Sequence, residues 1–149
     1  MGFLKQGKIV EQEFAKALEN FNKANKYQDM NEHWDLSTEI KFDIKGLKKI
    51  KRKDSEYNED IIWVEIVNVN GKKGWLYGKA HYFVFELKKY WLLVDKRELQ
   101  KLVETNTIKE YKDKAEINYL YNRKGRRDVL TLLHTIDVIH IGCLIEKEK

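Results

Sequence analysis

Asp43, Ile44 and Lys45 set a carboxylate and an ammonium two residues apart. In an extended chain that spacing turns both toward one face, with Ile44 pointing into the core. Asp35 lies eight residues upstream and reaches the same place if the chain folds back between them. Two carboxylates converging at a sheet edge can hold a hard cation such as Mg²⁺, which takes oxygen ligands and keeps several waters. A neighbouring lysine then positions a hydrolytic water or offsets charge that builds up on a phosphate. The chemistry offered is hydrolysis of a phosphodiester.

The elements that would position these residues can be read from periodicity. From His33 to Gly46 the chain alternates, with acids and lysines on one phase and Leu36, Ile40, Phe42 and Ile44 on the other. That is the pattern of a half-buried strand or of a hairpin. Glu39, Ile40 and Lys41 form a second acid-x-Lys candidate in the same phase. This alternative leaves three residues between Asp35 and Glu39, too few for two strands and a turn, so turn length favours Asp43 and Lys45. Upstream, Val10, Phe14, Ala17, Leu18 and Phe21 recur at helical spacing and predict an amphipathic helix over 9–24. Glu11 and Glu13 flank its apolar stripe, and geometry does not choose between them as a further carboxylate.

Downstream, the almost continuously apolar run over 61–69 predicts a strand covered on both faces, near the middle of a sheet. Its one charge, Glu65, either faces the same site as a further ligand or stands at an exposed strand end. Asn70, Gly71, Lys72, Lys73 and Gly74 predict a turn with glycines at positive φ. Runs over 80–87 and 90–94 predict a hairpin around Lys88 and Lys89. Asp95 followed by Glu98 predicts a capping box, and Leu99, Leu102 and Val103 the apolar face of a short helix. A second hairpin is expected from strands over 117–121 and 129–133 around a basic turn. The run over 136–144 has mixed period and is assigned no type. No internal repeat or linker divides the 149 residues, which are read as one domain, 1–149.

Composition sets the outer limits. Apolar residues make up 42% and charged residues 36%, with the apolar ones in periodic blocks, so a folded protein is expected. A net charge of +5 favours an anionic partner. The single cysteine, Cys143, excludes an intrachain disulfide and a cysteine-rich zinc site. His33, His134 and His140 lack ligand spacing, and His81, beside a strand, reads as structural more than as a phosphate contact. The absence of a signal-peptide core and of any spanning apolar run predicts a cytoplasmic protein with no membrane partner. Abundant Lys, Asn and Ile suggest an AT-rich coding source of bacterial or phage type.

Basic clusters follow the strands, where loops gather at a sheet edge. They comprise Lys48, Lys49, Lys51 and Arg52, then Lys72 and Lys73, then Arg123, Lys124, Arg126 and Arg127. Each run alone fits a solvated face; together they fit the phosphates of a duplex or branched nucleic acid, bound without base reading.

The order of Asp35, the Asp43-Ile44-Lys45-Gly46 segment, an upstream helix glutamate and a following buried strand resembles the PD-(D/E)XK nuclease superfamily, over about 9–93. The likeness is greatest to its small archaeal and phage members similar to Holliday-junction resolvases. It implies an α/β fold of restriction-endonuclease-like type, a mixed central sheet flanked by helices. It implies Asp35, Asp43 and the Ile44 carbonyl as metal ligands, Glu13 as a further ligand or water-organising carboxylate, and Lys45 as the catalytic lysine. It also implies Mg²⁺, replaceable by Mn²⁺, a DNA substrate and a homodimer. A restriction-like, nicking or repair nuclease on the same fold, a nuclease acting on RNA, and a non-catalytic nucleic-acid-binding protein are the rival readings.

Overall fold

The structure is a computed structural model that describes residues 13–14, 41–49 and 56–148. Its strands are β1 (Phe42–Lys45), β2 (Ile61–Val67), β3 (Tyr82–Glu86), β4 (Tyr90–Asp95), β5 (Ile108–Lys112), β6 (Tyr119–Tyr121), β7 (Val129–His134) and β8 (Cys143–Glu146). Helix α1 (Lys96–Asn106) follows β4, and α2 (Thr135–Ile141) follows β7. The architecture is mixed α/β. Two four-stranded sheets form, in the orders β1-β3-β4-β8 and β2-β7-β6-β5. In the first sheet β1 pairs parallel with β3, and β3, β4 and β8 are antiparallel; in the second only β5 and β6 are parallel.

The long apolar runs of β3 and β4 are explained by cover on both faces. Phe83, Phe85, Leu92 and Val94 point to one side, into a core with Ile62, Val64, Leu76, Leu99, Val103, Leu133 and Val138. That core joins the two sheets and both helices. Val84, Trp91 and Leu93 point to the other side, against Phe14, Ile145, Phe42 and Ile44. Phe14, buried in a helical turn, meets the Trp91 ring edge-on at 5.6 Å.

Several expectations are met in detail. Leu87 N–H bonds to the Tyr90 carbonyl at 2.9 Å, closing the β3–β4 hairpin around Lys88 and Lys89. The Asp95 carboxylate accepts from the N–H groups of Arg97 and Glu98 and starts α1, whose Leu99 and Val103 are buried. The second hairpin is β6–β7.

The strand β2 corrects the expectation of a doubly covered strand in mid-sheet. Among the described residues β7 is its strand neighbour, and only Ile62 and Val64 are fully buried in it. β2 therefore lies in the other sheet from β1, whose neighbour is β3. The unassigned run over 136–144 divides at Gly142 into the end of α2 and the start of β8. No helix among the described residues is long and apolar enough to cross a membrane.

A candidate phosphate site at the seam of two sheets

The strand β1 alternates as its sequence demands. Phe42 and Ile44 pack with Phe14 on one face, so Asp43 and Lys45 share the other. Their side chains are 29% and 27% exposed, and Lys45 Nζ lies 3.2 Å from Asp43 Oδ1. Both are thus held in place while still open to solvent. The Lys41 carbonyl accepts from His81 and Tyr82 N–H groups. In a parallel ladder alternate residues bond to the same neighbour, so the Ile44 carbonyl points to the side of β1 away from β3. His81 Nδ1 accepts the Lys41 N–H at 2.9 Å and ties down the start of the strand. That is the structural role its sequence context favours.

Past Gly46 the chain crosses the seam between the sheets. Leu47 N–H bonds to Glu86 Oε1 at 3.1 Å, and Glu86 Oε2 pairs with Lys147 at 2.8 Å. Trp63 Nε1 donates to the Lys49 carbonyl at 3.3 Å, tying β2 to this segment. Between these walls lies a cleft of about 280 Å³, lined by Lys45, Lys48, Trp63, Glu65 and Trp75 among others.

Trp75 opens a turn of 3-10 helix, and a bulge in β2 sets its position. Gly74 presses against that bulge so closely that a Cβ would sit 2.3 Å from the Glu65 carbonyl oxygen. The approach lets the Trp75 N–H reach Glu65 Oε1 at 3.2 Å and brings the indole to 4.7 Å from Lys45 Nζ. Positive φ in this turn falls on Gly71, at +78°; Gly74 is needed for space.

Lys48 is exposed over much of its length, but protein crowds its ammonium. Burial, with the charge of Lys45 adding to it, holds its pKa below the usual lysine value. Its ammonium has no counter-ion or hydrogen-bond acceptor among the described residues. Two cations line the cleft close enough to feel each other, one of them without a counter-ion among the described residues, and together they suit an anion.

The other predicted residues fall as follows. Glu65 is half-buried and lines the same cleft as Lys45. Glu13 is exposed, and its neighbour Phe14 packs 5.8 Å from Phe42, on the opposite face of β1 from Asp43. Asp35, Lys51 and Arg52 lie outside the described residues. Among those that are described, no three acidic, imidazole or thiol groups gather to hold a metal. Lys49 sits over the Tyr57 ring at 5.2 Å.

Pairing of Val67 with Val129 brings the turn after β2 beside the turn before β7. The Arg127 side chain lies against Gly71. Lys72, Lys73, Lys124, Arg126 and Arg127 are exposed there, and none pairs with a carboxylate among the described residues. Arg123 differs, because it pairs with the fully buried Asp128.

Sequence reasoning assigned neither Trp63 nor Trp75 a role in the site. The signal for Trp63 was present, since it stands two residues before Glu65 and shares its strand face. Trp75 is placed by the bulge, which leaves no such mark. Family models, curated proteins and solved structures give no match to the chain.

Proposed function

We propose that the chain is a metal-dependent endonuclease on a restriction-endonuclease-like domain, hydrolysing phosphodiesters of duplex or branched DNA. The observation that carries this reading is the Asp43–Lys45 pair, fixed at 3.2 Å on one face of β1 beside a cleft that holds a second cation, Lys48. The basic turns 68–73 and 122–127 support it, because they place exposed cations along the β2–β7 end of the second sheet and lead into Trp75 at the cleft. Such cations give affinity for a phosphate backbone without reading sequence.

The donor chemistry suits Mg²⁺, with Mn²⁺ able to substitute. The Asp43 carboxylate and Ile44 carbonyl are both hard oxygen donors; the resemblance adds Asp35, and also Glu13, whose turn packs against the other face of β1 and would have to reach around it. Such an ion, when bound, supplies charge to a phosphoryl oxygen and lowers the pKa of a water. In this reading Lys45 positions that water and offsets charge gained by the phosphate, and Asp43 fixes Lys45. Glu65 holds Trp75, which closes the cleft over Lys45. The resemblance further implies a homodimer, each protomer cutting one strand; the sequence pattern and composition point to the cytoplasm of a bacterium or a phage host.

The test supplies supercoiled duplex, linear duplex, flaps and four-way junctions with Mg²⁺ or Mn²⁺. Wild-type protein cleaves at least one of them. Asp43→Ala abolishes cleavage and keeps DNA binding. Failure of the wild type to cut any DNA form with either ion overturns the proposal.

A further inference from the structure

The cleft between the sheets holds more than a hydrolytic lysine requires. Lys45 and Lys48 bring two ammonium groups to it, and half-buried Trp63 and Trp75 bring two indoles. Glu65 uses one carboxylate oxygen for the Trp75 N–H and keeps the other without a bond among the described residues. Cation, aromatic and acceptor thus stand side by side, as the phosphate, ring and N–H groups of a nucleotide do.

Size narrows the occupant. At about 280 Å³ the cleft falls just below the range of about 300–1,000 Å³ typical of drug-sized ligands. It has room for one base, not for a stacked pair or a helical segment. A base inside a duplex is stacked on both sides and reaches such a pocket only when unpaired or extruded. Aromatic walls favour an unstacked base whatever its identity.

We propose that this cleft binds one unpaired nucleotide, its phosphate at Lys45 and Lys48 and its ring against Trp63, with Trp75 holding Lys45 in place and Glu65 accepting from the base. The inference rests on the nuclease reading and deepens it, since it makes the preferred substrate a DNA with an unpaired nucleotide beside the cut.

The test is made in EDTA, without metal, on the full chain. Deoxyadenosine monophosphate, deoxyadenosine and inorganic phosphate are titrated by tryptophan fluorescence. A labelled single strand and the same sequence as duplex are titrated by anisotropy. The monophosphate binds at least about 10-fold tighter than either of its halves. Lys48→Ala removes most of the phosphate contribution, and Trp63→Phe, which keeps an aromatic in the wall, weakens the base contribution. Tighter binding of single strand than of duplex assigns the site to a DNA strand; binding of the monophosphate with none of the strand assigns it to a free nucleotide. Phosphate binding as tightly as the monophosphate, or affinities indifferent to both substitutions, overturns the proposal. Nucleotide binding is measured without metal and cleavage with it, so the two are read separately. Nucleotide binding by a wild type that cuts nothing would therefore defeat the nuclease reading alone.

Discussion

Lys45 Nζ stands 4.7 Å from the centroid of the Trp75 ring, so a cation on a strand of one sheet is held by an indole that follows a strand of the other. Asp43 takes its remaining side at 3.2 Å. A lysine fixed between a carboxylate and a π-face loses much of the freedom that a four-carbon stem otherwise gives it. Lys45→Ala is therefore expected to lower the cleavage rate by about 10²–10³-fold, the scale of losing one group that stabilises developing charge. DNA affinity changes far less. Lys45→Arg recovers little, because a planar guanidinium does not fit a place shaped for a point charge. Single-turnover rates with binding measured separately check this, and an unimpaired Lys45→Ala would remove Lys45 from the chemistry.

Lys48 gives the pH dependence. Burial and the charge of Lys45 hold its pKa below 10.5, so it loses its proton sooner than an ordinary lysine as pH rises. The sign follows from linkage: the charged form is disfavoured in the fold, so its cost to stability is present at neutral pH and fades as pH rises through the lowered pKa. Anion affinity moves the other way and falls over that same window, below the range where free lysines titrate. Lys48→Arg, charged throughout, is expected to flatten the decline. Phosphate or oligonucleotide affinity measured from pH 7 to 10 decides it, and an unchanged slope in Lys48→Arg would place the titration elsewhere.

What was legible depended on whether the determinant was local. The β3–β4 hairpin, the Asp95 cap and the shared face of Asp43 and Lys45 follow from period and from short-range hydrogen bonding, which neighbouring residues carry. The division into two sheets did not show, because a run such as Ile61 to Val67 is equally apolar at a sheet edge and in its middle. Its placement is decided by β7, more than sixty residues later in the chain. The cleft was half legible: strand phase marks Lys45, Trp63 and Glu65, but only the β2 bulge brings Trp75 to them. Arg123 read as one more cation in a basic turn, and the burial of Asp128 gives it different work.

The exposed cations of the two adjoining turns are expected to act as a group on DNA. Removing one cation from a phosphate should reduce the slope of log affinity against log salt by about 1. Lys72→Ala with Arg127→Ala is expected to cut that slope by about 2 and weaken binding equally across sequences. Cleavage at saturating DNA stays near wild type. Anisotropy titrations over a range of salt read the slope; no change would mean that these turns face solvent when DNA is bound.

Gly74→Ala tests the approach that builds the cleft. Its Cβ would meet the Glu65 carbonyl oxygen at 2.3 Å, and other nearby atoms are also backbone, so no side chain can swing aside. Relief requires moving the 3-10 turn and with it the Trp75 N–H bond to Glu65. A loss of about 2 kcal/mol or more is expected, with Lys45 losing its indole partner. Gly71→Ala, strained only by φ of +78°, costs about 1 kcal/mol. Denaturation of both variants gives the order, and the reverse order would contradict the packing at Gly74.

Arg123 and Asp128 supply the last prediction. Asp128 is fully buried and pairs with an arginine that is 40% exposed, and its Oδ1 has no hydrogen-bond partner among the described residues. Removing Arg123 leaves a buried charge with nothing to balance it, which costs about 3 kcal/mol. By the scaling for a chain of this size, that is a fall in Tm of about 6–12 °C. Asp128→Asn removes the charge as well as the pair and leaves Arg123 able to reach water, so it costs less, about 1–2 kcal/mol. Combining the two substitutions should therefore be milder than the sum of their separate costs. Lys124→Ala, exposed in the same turn, leaves stability unchanged and weakens DNA binding. Arg123→Ala does the opposite when DNA affinity is referred to folded protein, because its guanidinium is already committed to Asp128.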